Sequence, residues 1–460
     1  MNYDLVILGG GPGGYVAAIR ASQLGLKTAL VEKDSLGGVC LNWGCIPTKA
    51  LLKNARVLQD IKKASFFGIQ GIDPEQVQPD WPVMLQRKDK IVKQLTGGVS
   101  HLLKKYGVTV YHERGTFLDH HTLQAGDEKL TAGKFIIATG ARPKQPDLPG
   151  LQEGLQSGFV ITGKEVLTQA ELPSRMAILG GGVIAVEYAT LFNALGVEVT
   201  LIQRSSQILR GIESDMSKFL TRHLKDHGVT IKTDARINAV EESSVRYGHN
   251  GSEETLPCDR VLLALGMQPN LDSLQALPLN LEKGHLATND RMETSEPHIY
   301  AIGDVNGRYQ LAHVASAEGM VAAENAAGGD ALMDYHIVPF CIYSFPEIAS
   351  VGLTAEEAKN QGFDVKETRF PLSANGKALA EGESIGFIKV VADQQYGEIL
   401  GTHIIAAHAT DMISEAVISM QLEGTAHDVA KAIHPHPTLS ETVMEAALAL
   451  TDKPIHGTIK

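Results

Sequence analysis

One segment of this chain occurs twice, and the repetition limits the fold more than any other feature. Residues 3–14, YDLVILGGGPGG, carry an apolar strand into a glycine turn. YVAAIRASQLG continues with helical periodicity, and a second strand, LKTALVE, ends on Glu32. Residues 176–203, MAILGGGVIAVEYATLFNALGVEVTLIQ, repeat that order. Gly9, Gly11 and Gly14 correspond to Gly180, Gly182 and Ala185. Gly25 and Glu32 follow Gly9 by 16 and 23 residues, and Gly196 and Gln203 follow Gly180 by the same offsets. In such a unit the first glycine makes a tight turn and the second lets the backbone approach a pyrophosphate. The third allows close packing of helix on strand, and the helix N-terminus faces the phosphates. Glu32 would accept hydrogen bonds from a ribose hydroxyl. Packing turns alone would not share one internal spacing, so two dinucleotide-binding units in an α/β chain are expected.

Other apolar strands end in the same way. FIIATGA at 135–141 and RVLLALG at 260–266 run into Gly140 and Gly266, turns that let a backbone approach a ligand or cross between domains. HIYAIGDV, near residue 300, ends on Gly303 and Asp304. An Asp at the C-terminal end of such a strand either meets a second ribose or phosphate linkage or caps the next helix. A chain of 460 residues exceeds one hydrophobic core, so two to four domains are expected, with ARPKQPDLPG at 141–150 as a connection between them.

Four cysteines, at 40, 45, 258 and 341, are too few for a disulfide framework. The N-terminal MNYDLVILGGG leads straight into a strand, from which a reducing cytoplasm is expected. In that compartment a close pair such as Cys40 and Cys45 is catalytic, redox-sensing or metal-binding more often than structural. Metal is the weaker option because Cys258 and Cys341 stand alone; both are expected to be buried as small apolar groups. Residues five apart on an ideal helix have Cα atoms about 8.7 Å apart, beyond the roughly 7 Å that a disulfide spans. GGVCLNWGCIPTK therefore cannot be regular helix if the pair closes. Gly44 and Pro47 supply the break, and cysteines at the N-terminus of the following helix would gain thiolate character.

A net charge of −12 and the lack of a basic stripe argue against nucleic acid, and no apolar run is long enough to span a bilayer. Partners are therefore small molecules or proteins. A nicotinamide delivers a hydride, a disulfide accepts two electrons, and a flavin can connect them, which explains two dinucleotide sites beside one cysteine pair. The first site, nearer the cysteines, is the better candidate for FAD. AIHPHPTLSETVMEA brings His434, His436 and Glu441 together, and a His–carboxylate pair is a competent acid–base unit.

Together GGVCLNWGCIPTK, both glycine units, ATGARP, AIGDV and HPHPTLSE make the whole chain resemble the FAD-dependent pyridine nucleotide–disulfide oxidoreductases. The resemblance implies two Rossmann-like dinucleotide-binding domains plus a C-terminal α+β dimerisation domain. It divides the chain into an FAD-binding part (1–147), an NAD(P)-binding domain (148–267), a second FAD-binding part (268–336) and a dimerisation domain (337–460). It makes Cys40 the thiol that exchanges with a substrate dithiol and Cys45 the thiol nearer the flavin. Lys49 is then the lysine near the flavin, paired with Glu187. His436, held by Glu441, is the base, entering the site from the other subunit of an obligate homodimer. Gly9, Gly11, Gly14, Glu32, Lys49, Gly140, Gly303 and Asp304 would contact FAD. Gly180, Gly182, Ala185, Glu187, Gln203, Arg204, Arg210 and Gly266 would contact NAD or NADP.

CIPTK and HPTLSE point within the family to oxidation of dihydrolipoamide, free or on a lipoyl-carrying protein of a 2-oxo acid dehydrogenase complex. Three departures stand out, one of them Ala185 in place of the third glycine, which points toward NADP. Trp43 replaces a smaller residue between the cysteines. Gln203 stands where NAD-specific members carry an acid, and Arg204 and Arg210 follow; an arginine accommodates the 2′-phosphate that an acid repels, so both nucleotides stay open. The alternatives are an NADPH-dependent reductase of glutathione or another small disulfide, and a flavin-binding interaction module without turnover.

Overall fold

The computed structural model describes residues 2–457. They gather into two compact units. One holds the chain up to Gly180, Ala194–Val197 and Ile237–Asp334; the other holds Gly181–Asn193, Glu198–Arg236 and the chain from Tyr335.

The first unit opens with β1 (Asn2–Leu8), α1 (Pro12–Gln23) and β2 (Thr28–Val31). β1 lies between β2 and the strand Glu128–Ile137, parallel to both, with Leu5 opposite Thr28 on one side and Lys134 on the other. Thr109–Tyr111 adds outside β2, and Ile299–Ala301 pairs in parallel with Glu128–Ile137. Reading across the sheet, the order 109–111, β2, β1, 128–137, 299–301 is that of a doubly wound dinucleotide fold. Leu5, Val6 and Ile7 are fully buried, as a parallel strand covered on both faces requires.

The helix Ala312–Ala326 packs on α1 through small residues. A Cβ on Gly13 would stand 2.9 Å from the Ala315 carbonyl oxygen, and one on Gly319 would stand 2.5 Å from that of Gly13. Arg20 closes the contact with an ion pair to Glu324 at 2.6 Å. A segment three hundred residues along the chain is thereby set beside the first glycine turn. The unit also contains Arg175–Leu179 and Val160–Ile161, both parallel to Arg260–Leu263. A two-stranded ribbon joins Ala141–Pro143 to Met267–Pro269. The connection expected at 141–150 thus begins as a strand.

In the second unit Glu198–Ile202 and Thr230–Lys232 run parallel, and the helices Val183–Ala194 and Ser214–Asp226 belong to it. Its C-terminal part is an antiparallel five-stranded sheet in the order Phe340–Ile342, Glu347–Gly352, Ile399–Ala406, Phe387–Asp393, Val365–Pro371. Helices Ala409–Gln421 and Glu441–Thr451 supply Ile413, Val443 and Leu450 to a core shared with Ile388, Val390 and Ile404. Two Rossmann-like dinucleotide folds and a C-terminal α+β domain are the architecture that the glycine units and the family resemblance led us to expect. Cys258 is buried as expected, but Cys341, on the edge strand Phe340–Ile342, is only half-buried. Among the described residues no helix is long and apolar enough to cross a membrane, and no His, Cys, Asp and Glu cluster could hold a metal ion.

Candidate active site

At the first turn Gly9 adopts φ +107°, and a Cβ there would lie 2.2 Å from the Ala138 carbonyl oxygen. Only glycine meets both demands. The Gly10 amide donates to Glu32 Oε2 at 2.7 Å and the Asp34 amide to Oε1 at 2.7 Å, so Glu32 is buried and oriented before any ribose arrives. α1 begins at Pro12 with Gly11 as its cap and no side chain on its first amides, which leaves those donors for an anion. Gly14 admits the helix: a Cβ there would stand 1.9 Å from the Gly9 carbonyl oxygen.

The strand Ile299–Ala301 delivers Gly303 and Asp304 within this unit. Asp304 is no helix cap, because the next helix starts at Ala312 behind Leu311. Burial pushes its carboxyl up to about 6, with only its own backbone amide favouring the anion. Such a carboxyl is suited to accept from hydroxyl donors. The Gly303 amide donates to Glu318 Oε2 at 2.6 Å, and Glu318 is fully buried. Sequence reasoning missed Glu318; its only signal is a Glu on the small-residue face of a helix. Bare amides, a cradle that a Cβ would fill and two buried acceptors fit FAD.

The second turn is built alike. Gly180 has φ +116°, and a Cβ on it would stand 2.2 Å from the Ala264 carbonyl oxygen. The Ala264 amide donates to Leu179 at 2.9 Å, as Ala138 donates to Leu8 at 2.8 Å. Gly10 packs on Glu32, and Gly181 packs on Gln203 in the same way, each leaving about the room of a hydrogen: a Cβ on either would come within 3.1 and 3.0 Å respectively. Gln203 Nε2 donates to Ser205 Oγ at 2.6 Å and the Gln207 carbonyl at 3.3 Å, which turns Oε1 into the free acceptor. Arg204 and Arg210 are exposed, Gly182 is open, and Ala185 buries its methyl. A neutral acceptor flanked by arginines fits the adenosine end of a pyridine nucleotide. Gly140 and Gly266 lie at the ribbon, where Lys144 donates to the Gly266 carbonyl and Asn270 to that of Gly140.

Cys40 lies on a short helix, α2 (Gly38–Asn42), and Cys45 opens α3 (Cys45–Lys62). Trp43 and Gly44 break the helix between them, and Gly44 at φ −129° and ψ −109° caps α3, with Pro47 in its first turn. Neither is in a disulfide, and a hydrogen bond links the two thiols. That bond pushes the Cys40 thiol far up, burial and the charges of Cys45 and Asp304 add to it, and Lys49 opposes them. The thiolate character expected of both cysteines is therefore wrong for Cys40. It sits outside the N-terminus of α3, and its hydrogen bond to Cys45 and its burial both oppose ionisation. The Lys164 ammonium stands 4.6 Å from the centre of the Trp43 ring.

His436 Nδ1 bonds Glu441 Oε1 at 2.9 Å, and the Thr438 amide donates to Glu441 Oε2 at 2.8 Å. These two donors hold the Glu441 carboxyl below its usual range, the amide first. The carboxylate fixes the proton on Nδ1 and leaves Nε2 to act as a base. The His436 side chain is 79 % exposed. His434 makes a second pair, with Glu415. Glu187 is buried, and its Oε1 accepts from the Tyr343 amide at 3.1 Å. The His436–Glu441 pair and Glu187 lie in the second unit, the cysteines and Lys49 in the first.

A hydrogen-bonded cysteine pair beside a dinucleotide fold, with a second such fold and an α+β domain, defines a disulfide oxidoreductase of the nucleotide-dependent kind. The chain belongs to the pyridine nucleotide-disulphide oxidoreductase family: the family's model matches residues 3–319 and that of its dimerisation domain matches 338–447. FAD and NAD(P) are the cofactors that go with this family. Among curated proteins it is 44 % identical to the dihydrolipoyl dehydrogenase of Bacillus subtilis, with 99 % of each chain covered. It is 41 % identical to that of Chlamydia muridarum, covering 99 % of this chain and 98 % of the other. Among solved structures it resembles the HOCl-induced flavoprotein disulfide reductase RclA of Escherichia coli, with a TM-score of 0.86, 26 % identity, and 97 % and 99 % of the two chains covered.

Proposed function

We propose that the chain is a dihydrolipoyl dehydrogenase, oxidising dihydrolipoamide to lipoamide. The observation that carries this reading is the helix break that faces Cys40 and Cys45 toward one shared proton, in a chain whose full-length relatives bear that name. His436 Nε2 takes the proton of a substrate thiol while Glu441 holds Nδ1–H. The substrate sulfur attacks Cys40 in the Cys40–Cys45 disulfide, the S–S bond breaks, and Cys45 leaves as a thiolate. The second substrate sulfur displaces Cys40 and closes the lipoamide ring, its proton passing to Cys40, whose raised pKa favours the thiol, while His436 holds the first proton. FAD, held by the first glycine turn with Glu32 and Asp304, would supply the two-electron link between the Cys45 thiolate and a pyridine nucleotide.

Several finer assignments belong to the same proposal. Residues 1–147 and 268–336 bind FAD, 148–267 bind NAD(P), and 337–460 form the dimer. Lys49 pairs with Glu187 beside the flavin. The exposure of His436, next to an Ile433 that is fully exposed, supports a homodimer in which each base serves the partner's cysteines. The protein works in the cytoplasm on a lipoyl-carrying partner of a 2-oxo acid dehydrogenase complex.

The test is Cys45→Ser. The wild-type protein should turn yellow with FAD and develop a long-wavelength charge-transfer band on anaerobic addition of dihydrolipoamide; the variant should keep FAD and lose both the band and turnover. A Cys45→Ser enzyme that oxidises dihydrolipoamide at the wild-type rate would falsify this electron path. Reduction of glutathione disulfide with NADPH, without dihydrolipoamide oxidation, would replace the reading with the reductase one.

A further inference from the structure

The strand Phe387–Asp393 carries a lysine where a sheet interior normally admits none. Lys389 is 7 % exposed and faces three carboxylates: Asp215 Oδ2 at 2.8 Å, Glu213 Oε1 at 3.0 Å and Glu367 Oε2 at 3.5 Å. Its cross-strand neighbour His403 is buried, bonds the Leu353 carbonyl through Nε2, and has no partner for Nδ1 among the described residues. Burial pushes the pKa of His403 down, so it is neutral and adds no second cation. Arg369 acts on Asp215 from the next strand. Buried lysines occur almost solely in pairs, and this one is paired 174 and 176 residues away, on the chain that follows the second glycine unit.

Glu213 and Asp215 open the helix Ser214–Asp226. Glu213 is its cap, and its Oε2 accepts from the Asp215 amide at 2.8 Å and the Met216 amide at 3.3 Å. Ser217 Oγ donates to the Ile208 carbonyl at 2.7 Å, the Leu209 amide donates to the Gly181 carbonyl at 2.7 Å, and Gln203 Nε2 reaches the Gln207 carbonyl. The loop 203–213, which bears Arg204 and Arg210, is thus tied at Leu209 to the glycine turn and at Ile208 to the capped helix. The capped end buries Glu213 beside a half-exposed Asp215, on which Arg369 and Lys218 also act, and the Lys389 ammonium bonds both carboxylates. Without that ammonium, Glu213 gains by turning to water, which would release the cap and the far end of the loop.

We propose that Lys389 is a positioning residue for the pyridine nucleotide: by clamping Glu213 and Asp215 it holds the loop 203–213 in the shape that receives the nucleotide's adenosine end. This rests on the dehydrogenase reading above and assigns a role in its nucleotide half to a residue of the C-terminal domain.

The experiment titrates NAD and NADP calorimetrically into FAD-loaded Lys389→Met, Lys389→Arg and wild-type protein, and follows hydrogen exchange of residues 205–216. In Lys389→Met the dissociation constant should rise about tenfold, in the range typical of coupling through a packed network, with faster exchange in the segment. Anaerobic reduction of the flavin by dihydrolipoamide should keep its rate, and Lys389→Arg should restore binding. If Lys389→Met fails to accumulate as folded protein, Glu213→Gln takes its place, with the same rise expected. Nucleotide binding as tight as wild type in either folded variant, or a loss that extends equally to flavin reduction, overturns the proposal. A wild-type protein that dihydrolipoamide does not reduce sinks the dehydrogenase reading itself, whereas a reducible wild type beside an unaffected variant sinks only the role of Lys389.

Discussion

Replacing Gly14 with Ala tests whether the first turn binds its cofactor through contact between backbones. The new Cβ would stand 1.9 Å from the Gly9 carbonyl oxygen and 3.0 Å from the Gly9 carbonyl carbon. Unstrained heavy atoms keep about 3.5 Å, so helix and turn must part by roughly 1.5 Å. Both atoms belong to backbone, and no rotamer change relieves the clash. The cost then falls at the upper end of overpacking, about 3 kcal/mol. Strain of that size on the amides that face the pyrophosphate weakens FAD binding by about two powers of ten. The assay is equilibrium rebinding of FAD to stripped protein, read by flavin absorbance, together with a thermal melt. Ala185→Gly in the second unit is the control. There a buried methyl already fits, and its loss costs about 1 kcal/mol of helix propensity without touching FAD. Wild-type affinity for FAD and an unchanged melt in Gly14→Ala would refute the reasoning.

Two further outcomes follow from the site geometry. Glu441 has its carboxyl depressed by the Thr438 amide and His436, so its contribution to stability is complete above the unfolded carboxyl value of about 4.3 and is lost as pH falls through the lower folded one. Glu441→Gln should therefore flatten the acid limb of unfolding, which acid denaturation checks, and should lower dihydrolipoamide turnover by about a hundredfold at unchanged FAD content; equal turnover removes Glu441 from the base. Gln203→Glu places a charge where Oε1 now accepts and should shift the ratio of specificity constants toward NAD by about tenfold or more, since juxtaposed like charges cost several kcal/mol. An unchanged ratio would mean that Gln203 does not meet the 2′ position.

Much of the site was legible because its parts are local. The glycine turns are legible in their spacing, and the offsets from Gly9 to Glu32 and from Gly180 to Gln203 already placed the two acceptors that pack on Gly10 and Gly181, although the Ala138 and Ala264 carbonyls that exclude a Cβ come from distant strands. The break between Cys40 and Cys45 follows from Gly44, and the base from His436 and Glu441 five residues apart. Electrostatics were less legible. Thiolate character was expected of both cysteines from a helix N-terminus, yet the chain puts Cys40 on a helix of its own, where the bond to Cys45 and burial push its thiol up. Burial of Cys341 was expected from residue type, but an edge strand leaves it half open.

The sequence by itself determined two dinucleotide turns, a redox pair on an interrupted helix and a histidine held by a carboxylate, because periodicity, glycine spacing and short-range hydrogen bonds are written within a few turns of chain. Only the tertiary structure decided that Glu318 would hold the Gly303 amide, that Tyr343 would donate to Glu187 and that Lys389 would join Glu213 and Asp215. Each of these pairs satisfies a polar group that folding removes from water. Which partner it finds depends on which distant segments the packing brings together, and that is set by the whole core rather than by any stretch of it.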